Sequence, residues 1–462
     1  RRDFMKGLGL AGAGIAAVSP VMHDLEEAAA SPKSNWERPW YVKHMENGEC
    51  TQEMDWSVYG RFNYSENSAY SALQKRLGPE GTSKMWADNS QRQVDHILEK
   101  KPGWGLRERA MRLHLVREGV SDSFGFPEDR TNTPQAIYGD GVNPPVNIPR
   151  WEGTPEENAR MMRSVTKLRG AGIVGFCEID EKSRNFIFSS DRLGDYVWED
   201  VDQPYEREVN GRKQVVIPEK VRYAICFSCP RSEELWSRAP SPISDCGEMI
   251  GYSYGRIVYG GVTSFLTNIG YLGIGSGGNR VKINPAFAVW SGMCEPSRLH
   301  NSSISPELGP SQGTFVILTD LPLAPDKPIN SGIFKYCETC KKCAENCPSG
   351  ALSTEDKTWE LKYGDTNMAG QKAFPFDFAT CFHYWYGVSS SYCAVGLRSC
   401  PFAHKNLGTV HDVISATLSV TPVFNGFFKE LDDLYHYGEQ KSPESWWDLP
   451  PKMHGFYSAS YL

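Results

Sequence analysis

The feature that most constrains this chain is the run CETCKKCAENCP, which sets Cys337, Cys340, Cys343 and Cys347 in a C-x2-C-x2-C-x3-C-P pattern. Three thiolates on one tight loop can bind three irons of a [4Fe–4S] cubane, and the fourth, followed by Pro348, turns away toward a second cluster. Zinc ligation and disulfides are the competing uses of closely spaced cysteines, but chance assembly of four cysteines and the proline at this spacing is improbable. The spacing points to electron transfer.

A second cluster needs a partner motif downstream, and CFHYWYGVSSSYCAVGLRSCP carries Cys381, Cys393 and Cys400, the last followed by Pro401. Against a C-x2-C-x3-C-P template, Cys393 and Cys400 take the first and third cysteine positions, and Gly396 stands in the middle one. Reciprocal ligation would join Cys337, Cys340 and Cys343 with Cys400. Cys347, Cys381 and Cys393 then remain for the other site, as a [3Fe–4S] centre or a cubane with an oxygen, nitrogen or remote sulfur on its fourth iron. Ser389, Ser390, Ser391, His383, Cys177, Cys226, Cys229, Cys246 and Cys294 are the candidates. A scattered cysteine is more often a small buried hydrophobe than a ligand.

With 462 residues the chain can build two or three domains. A net charge of −7 gives no electrostatic case for nucleic acid as a partner. The 13 Trp, 21 Tyr and 21 Phe can line a deep apolar cavity or fill a large core. The start Arg1-Arg2-Asp3-Phe4-Met5-Lys6, the short apolar stretch Gly7 to Val18 and the small residues Ala28-Ala29-Ala30 read as a twin-arginine export leader over residues 1–30. That route exports folded protein, which suits clusters inserted in the cytoplasm. Seven of the thirteen cysteines are accounted for by clusters, so a disulfide framework is not expected.

Residues 31–150 are aromatic and loop-rich, ending in the Pro- and Gly-heavy stretch Thr131 to Pro149. WEGTPEEN opens a helix with Thr154 as N-cap, Pro155 at N1 and Glu157 completing a capping box. Ile173 to Ile179 reads as a buried strand and Tyr254 to Asn268 as a helix closed by Gly270. YLGIGSGGN reads as a strand entering a glycine turn that lacks dinucleotide-binding spacing. Residues 151–330 are therefore an α/β or α+β unit. The proline-stiffened LTDLPLAPDKPI leads into a cluster unit at 331–410, and 411–462 reads as a helix with an aromatic tail.

A twin-arginine leader, a central α/β domain and a C-terminal two-cluster domain together resemble the reductive dehalogenases of organohalide-respiring bacteria. RRDFMKGLGLAGAG, WEGTPEEN, TDLPLAPDKPI, CETCKKCAENCP and TPVFNGFF are similar to that family along nearly the whole chain and in its order. The resemblance implies an α+β fold, with a nitroreductase-like corrinoid-binding core and a C-terminal bacterial ferredoxin-type two-cluster domain. It implies a base-off corrinoid of the cobalamin type, two iron–sulfur clusters, a small organohalide substrate and an external electron donor. A small membrane-anchor protein would hold the exported chain on the outer face of the cytoplasmic membrane. The absence of an Asp-x-His-x-x-Gly run agrees with a corrinoid lacking a protein axial ligand.

The resemblance also assigns residues. Tyr252, eighteen residues before Gly270-Tyr271, takes the position of the proton donor, and Phe265 falls on a matching aromatic position. SGMCEPSR resembles a corrinoid-contacting loop, which implies Gly292, Ser297 and Arg298 near the cofactor. Asn279 falls near an active-site position, and Trp385 matches a tryptophan lining the substrate cavity. Two departures stand out: Gly396, and Gln312 or Gly313 where the family usually places Arg or Lys beside the tyrosine. An amide can hydrogen-bond a tyrosine but cannot oppose its negative charge. Two other readings compete. An epoxyqueuosine-reductase-like corrinoid enzyme is disfavoured by the export leader and acidic balance, and a non-enzymatic electron carrier by the more than three hundred residues preceding the cysteine motifs.

Overall fold

The polypeptide runs as a short strand β1 (Lys43–His44), a long helical segment α1 (Ala69–Leu98), helix α2 (Pro155–Leu168) and strand β2 (Val174–Glu178). Strands β3 (Ser190–Asp191), β4 (Gly194–Glu199), β5 (Tyr205–Val209), β6 (Arg212–Pro218) and β7 (Tyr223–Pro230) follow. Then come helices α3 (Pro242–Asn268) and α4 (Asn284–Trp290), strands β8 (Gln312–Thr319) and β9 (Ile329–Asn330), and helices α5 (Ile333–Cys340), α6 (Phe378–His383), α7 (Val410–Val420) and α8 (Asn425–Leu434). This computed structural model describes residues 38–39, 41–109, 150–191, 194–275, 281–300, 302–403 and 410–450. The leader, Thr131 to Pro149 and Asn279 lie outside the described residues.

The fold is mixed α+β, organised on an antiparallel sheet ordered β2-β7-β8. Seven of the eight residues of β7 are buried, because both faces of this central strand are covered. Phe176, Ile225, Phe227, Phe315 and Ile317 pack under Met162 of α2 and Val258, Val262 and Leu266 of α3. The alternate residues Cys177, Ala224, Cys226, Val316 and Leu318 pack against Phe287 and Trp290 of α4 and Val215 and Ile217 of the second sheet. That second sheet is ordered β3-β4-β6-β5, with β4 and β6 parallel.

The capping box at Thr154 forms: its hydroxyl accepts from Glu157 N, and Glu157 Oε2 accepts from Thr154 N at 2.9 Å. Three segments depart from the sequence reading. The loop-rich expectation for 31–150 misses α1, a 30-residue helical segment broken at Gly78, where φ is +70° and Pro79 follows. Helix α3 begins twelve residues earlier than expected, at Pro242, capped by Ser241. A Cβ at Gly247 would meet the Trp236 ring, at Gly251 the Arg231 stem, and at Gly255 the Phe315 ring. These glycines are spaced i, i+4, i+8 and form the helix face that lies against the sheet. The C-terminal segment holds two helices rather than one. Among the described residues no helix is long and apolar enough to cross a membrane.

Because an added methyl at Gly255 would overlap the Phe315 ring, Gly255→Ala must push α3 off β8 or turn a packed phenylalanine. Overpacking of this kind costs about 1–3 kcal/mol. Thermal denaturation should register it as a lowered Tm, and an unchanged Tm would mean that the helix does not sit this close to the sheet.

Candidate active site and cysteine sites

A cavity of about 500 Å³ opens between α3, the start of β8, the N-terminal aromatic segment and the π-helical turn Tyr384–Ser389. Its walls include Trp56, Tyr59, Phe62, Phe186, Phe382 and Tyr386, so aromatic rings form a large part of the lining. Tyr252, Gln312 and Trp385 all face it. Tyr252 lies one turn beyond Glu248 on α3, and its ring meets Phe315 edge-on at 5.9 Å and 87°. Trp385 packs at 4.5 Å from Tyr392. The amide of Gln312 is turned inward: Nε2 donates to Cys294 Sγ at 3.2 Å and to Gly309 O at 3.3 Å, and Oε1 has no partner.

Beside Tyr252 lies a buried charge pair that the sequence reading did not identify. Arg231 Nη2 is 2.5 Å from Glu248 Oε1, and the two side chains are 8% and 5% exposed. The Arg231 guanidinium carbon sits 5.5 Å from the centre of the Tyr252 ring. Burial would lower the Arg231 pKa, but Glu248 and then Tyr252 and Tyr392 outweigh it and hold the group cationic. Burial raises Glu248 above the usual carboxylate range, with Arg231 offsetting part of the effect. Burial also drives Tyr392 well up, with Glu248 adding to it. A visible signal existed: Arg231 ends the apolar run YAICFSCP. On the far wall, Lys282 is fully buried, and burial lowers its pKa to about 7.

The thiols fall into the two groups that reciprocal ligation demands. Cys337, Cys340, Cys343 and Cys400 line one small cavity. Cys381 adjoins Cys393 and Cys347, and Cys393 adjoins Cys347. Burial comes first in pushing Cys337 up to about 12, and neighbouring thiolates add to it, so only bound metal would keep such a set ionised. Among the described residues no three His, Cys, Asp or Glu side chains converge to hold a single ion. Thiols spread around a void suit a cluster of irons better than one zinc. The scattered Cys177, Cys226, Cys229, Cys246 and Cys294 are core residues, as the bland reading had it. A Cβ at Gly396 would touch Leu299 and Leu352 at 3.1 Å and lie 3.8 Å from Cys343 Cβ.

A sequence profile described as Dehalogenase, the reductive dehalogenase subunit, matches residues 37–323. The chain belongs to the reductive dehalogenase family. It is 29% identical over 530 aligned positions to the chloroethene reductive dehalogenase of Dehalococcoides mccartyi strain VS, covering 99% of this chain and 98% of that protein. It is 28% identical over 311 positions to the tetrachloroethene reductive dehalogenase of Sulfurospirillum multivorans, covering 64% and 60%. It superposes on the solved catabolic reductive dehalogenase NpRdhA with a TM-score of 0.62 at 18% identity, over 91% of this chain and 53% of the other. The chain thus spans about half the length of that solved protein, and the likeness is one of fold.

In this reductive dehalogenase family member, three residues of the expected cofactor loop take other positions. A Cβ at Gly292, where φ is +69°, would overlap Lys327 O, so the glycine lets the loop pass the proline-rich connector. Ser297 donates to Ser302 O at 2.6 Å and, with Arg298, lines the small cysteine cavity instead of the large one. Arg298 is 1% exposed and donates to Cys337 O at 3.0 and 3.1 Å, to Ser353 O at 2.6 Å and to Glu355 O at 2.8 Å. Glu295 of the same loop accepts from Ser331 N, from Ser331 Oγ at 2.5 Å and from Phe334 N at 3.2 Å, satisfying the first turn of α5. Pro296, His300, Ser302 and Ser303 present the loop's other side to the large cavity. The loop is a partition between cysteines and cavity.

His300 on that partition is half-buried, and desolvation lowers its pKa to about 4, from 6.5 in an unfolded chain. The unfolded chain therefore takes up the proton first. Stability from this residue is intact above about pH 6.5, falls as pH drops toward 4 and then levels. Its φ of +53° suits asparagine. His300→Asn should remove roughly 2–3 kcal/mol of the acid-side loss between pH 7 and 4.5, read by urea denaturation of both proteins. An identical loss in the two proteins would show that His300 does not titrate in the folded state.

Proposed function

We propose that the protein removes halide from small neutral organohalides by the balance R–X + 2e⁻ + H⁺ → R–H + X⁻, with Tyr252 giving the proton. The observation that carries this reading is the ring-lined cavity bounded by Tyr252, Arg231 and Trp385, with Cys381 and Cys393 next in sequence to its wall residues Phe382 and Tyr392, in a chain of this family. Relatives named for chloroethene and tetrachloroethene support a chlorinated alkene as the substrate class. Such molecules offer no hydrogen bonds, which agrees with a wall of aromatic faces. The pairing of Arg231 with Glu248 agrees with a neutral substrate.

We read the cavity as the seat of a base-off corrinoid in a nitroreductase-like core. Among the buried polar atoms on its walls without a hydrogen-bond partner are Lys282 Nζ, Gln312 Oε1, Thr366 Oγ1 and Asn367 Oδ1. Leaving such groups unsatisfied is costly, and the carboxamide rim of a corrinoid carries both donors and acceptors to satisfy them. When bound, the corrinoid supplies strongly reducing cobalt, the chemistry that a carbon–halogen bond requires. Cys337, Cys340, Cys343 and Cys400 would hold one ferredoxin-type cluster. Cys347, Cys381 and Cys393 would hold three corners of the second, as [3Fe–4S] or as a cubane with a non-thiolate ligand. The protein's own tasks are to exclude water, to orient the substrate against Trp385 and to hold the Tyr252 proton ready.

Tyr252→Phe removes one hydroxyl and keeps the apolar wall. Turnover should fall by roughly 10²–10⁴-fold, the usual worth of a positioned acid, while cobalt and iron content of the reconstituted protein stay unchanged. Near-normal dehalogenation by this variant would sink the assignment.

We also propose export by the leader at residues 1–30, with the protein held on the outer face of the cytoplasmic membrane by a small anchor protein and reduced by an external donor. The support is the RRDFMK start and the small residues before Ser31. Replacing Arg1 and Arg2 with lysines should trap the chain in the cytoplasm on cell fractionation. Unchanged export would refute the leader.

A further inference from the structure

Gln312 takes the position at which the resemblance leads one to expect a cation beside the proton-donating tyrosine, and an amide cannot oppose a negative oxygen. The sheet register bears on this directly. Pro230, the last residue of β7, pairs with Gln312 of β8, and the residue after it is Arg231, whose N donates to Ser311 O at 2.9 Å. Position 231 thus lies opposite Ser311, and its guanidinium lies against Gly313, next to position 312 but reached from the other strand.

From this geometry we infer that Arg231 is the positioning residue that supplies the positive charge facing Tyr252, relocated across the β7–β8 ladder from the strand that carries Gln312. This rests on the reading of Tyr252 as proton donor. As the phenol gives up its proton, its oxygen becomes negative inside a cavity that excludes water, where a fixed cation acts more strongly than in bulk water even with Glu248 offsetting part of its charge. Three features fit Arg231 to that task. Its guanidinium carbon lies 5.5 Å from the centre of the Tyr252 ring. Its Nη2 is held by Glu248, one turn before Tyr252 on α3, so cation and phenol are referenced to the same helix. Its Nε, buried on the cavity wall, has no hydrogen-bond partner and remains available to a developing charge.

The slot that admits the side chain is built from glycine. A Cβ at Gly251 would come within 2.9 Å of Arg231 Cγ, and one at Gly313 within 3.2 Å of Nη2. Gly313 adjoins Gln312, so the absence of a side chain there is what lets a cation from β7 occupy space that a long residue on β8 would otherwise fill. Glu248, Tyr392 and Cys229 are further ionisable groups beside Arg231. Arg231 touches neither substrate nor cofactor in this assignment; it acts through Tyr252.

The test uses holoenzyme variants with cobalt and iron measured in each. Arg231→Gln should lower kcat by about 10²-fold with KM little changed, the pattern of an interaction made only in the transition state. Gln312→Arg should lower turnover in the wild-type background, because it sets a second cation beside the first and removes an amide from the cavity wall. In the Arg231→Gln background the same change should recover tenfold or more. Arg231→Gln should cost nothing further once Tyr252→Phe is in place, since the two act as one unit. If Tyr252→Phe is inactive while Arg231→Gln keeps kcat within about threefold, the Arg231 assignment falls and the Tyr252 reading stands. Near-normal activity of Tyr252→Phe removes the Tyr252 reading, and this proposal with it. Should Arg231→Gln lose its cobalt, the Gln312→Arg single variant still decides: a clear rise in turnover would mean that no cation already faces the tyrosine.

Discussion

The close seat of α3 on the β7–β8 pair is the constraint from which the rest of the site follows. Helices normally stand off a sheet by the thickness of their side chains. Here Gly247, Gly251 and Gly255 remove that thickness along one face, and Trp236, Arg231 and Phe315 fill the space from the other side. The consequence is geometric. Glu248 and Tyr252, on the same helix, come within reach of side chains from the ends of both strands, and a buried ion pair forms where an ordinary helix–sheet contact would have been dry. Breaking such a pair on one side is costly because the partner is left as an uncompensated buried charge.

The loop from Gly292 to Ser303 has an equally directional role. Its Glu295 and Arg298 face the cysteine-bearing helix, and its Pro296, His300, Ser302 and Ser303 face the cavity. Alternating allegiance of this kind is expected of a thin wall in which both surfaces are buried: polar groups must find partners on one side or the other. The buried Lys342 makes the corresponding link on the far side of the cysteine loop, through Asp432 and, at 2.9 Å, Asp433 of α8.

What the sequence made legible was what depends on neighbours in the chain. The capping box at Thr154 and Glu157 is fixed within four residues. The partition of seven cysteines into sets of four and three follows from spacing and two prolines. Tyr252, Gln312 and Trp385 were found through family resemblance, and all three line the cavity. The start of α3 was missed because Gly247 and Gly251, read singly, are helix breakers, and their value appears only against Trp236 and Arg231. Arg231 was missed because its meaning depends on a pairing between positions 230 and 312, eighty residues apart. That Gly292 meets the proline-rich connector while Ser297 and Arg298 line the cysteine cavity was not legible, because a loop string carries no record of which face of a wall each residue meets.

The bracing of α5 has a consequence for electron transfer. Glu295 satisfies the helix's first turn and Arg298 grips the carbonyl of Cys337, so the core that encloses the cavity also fixes where the cysteine loop stands. Electron tunnelling falls off exponentially with separation, so a redox group on a swinging domain would deliver electrons at a fluctuating rate. A group clamped to the cavity wall by two buried side chains keeps a single separation, and its surroundings have little freedom to rearrange when its charge changes. With clusters bound there as proposed, the driving force between the redox centres, and not the motion of one unit against another, would set the rate at which reducing equivalents arrive.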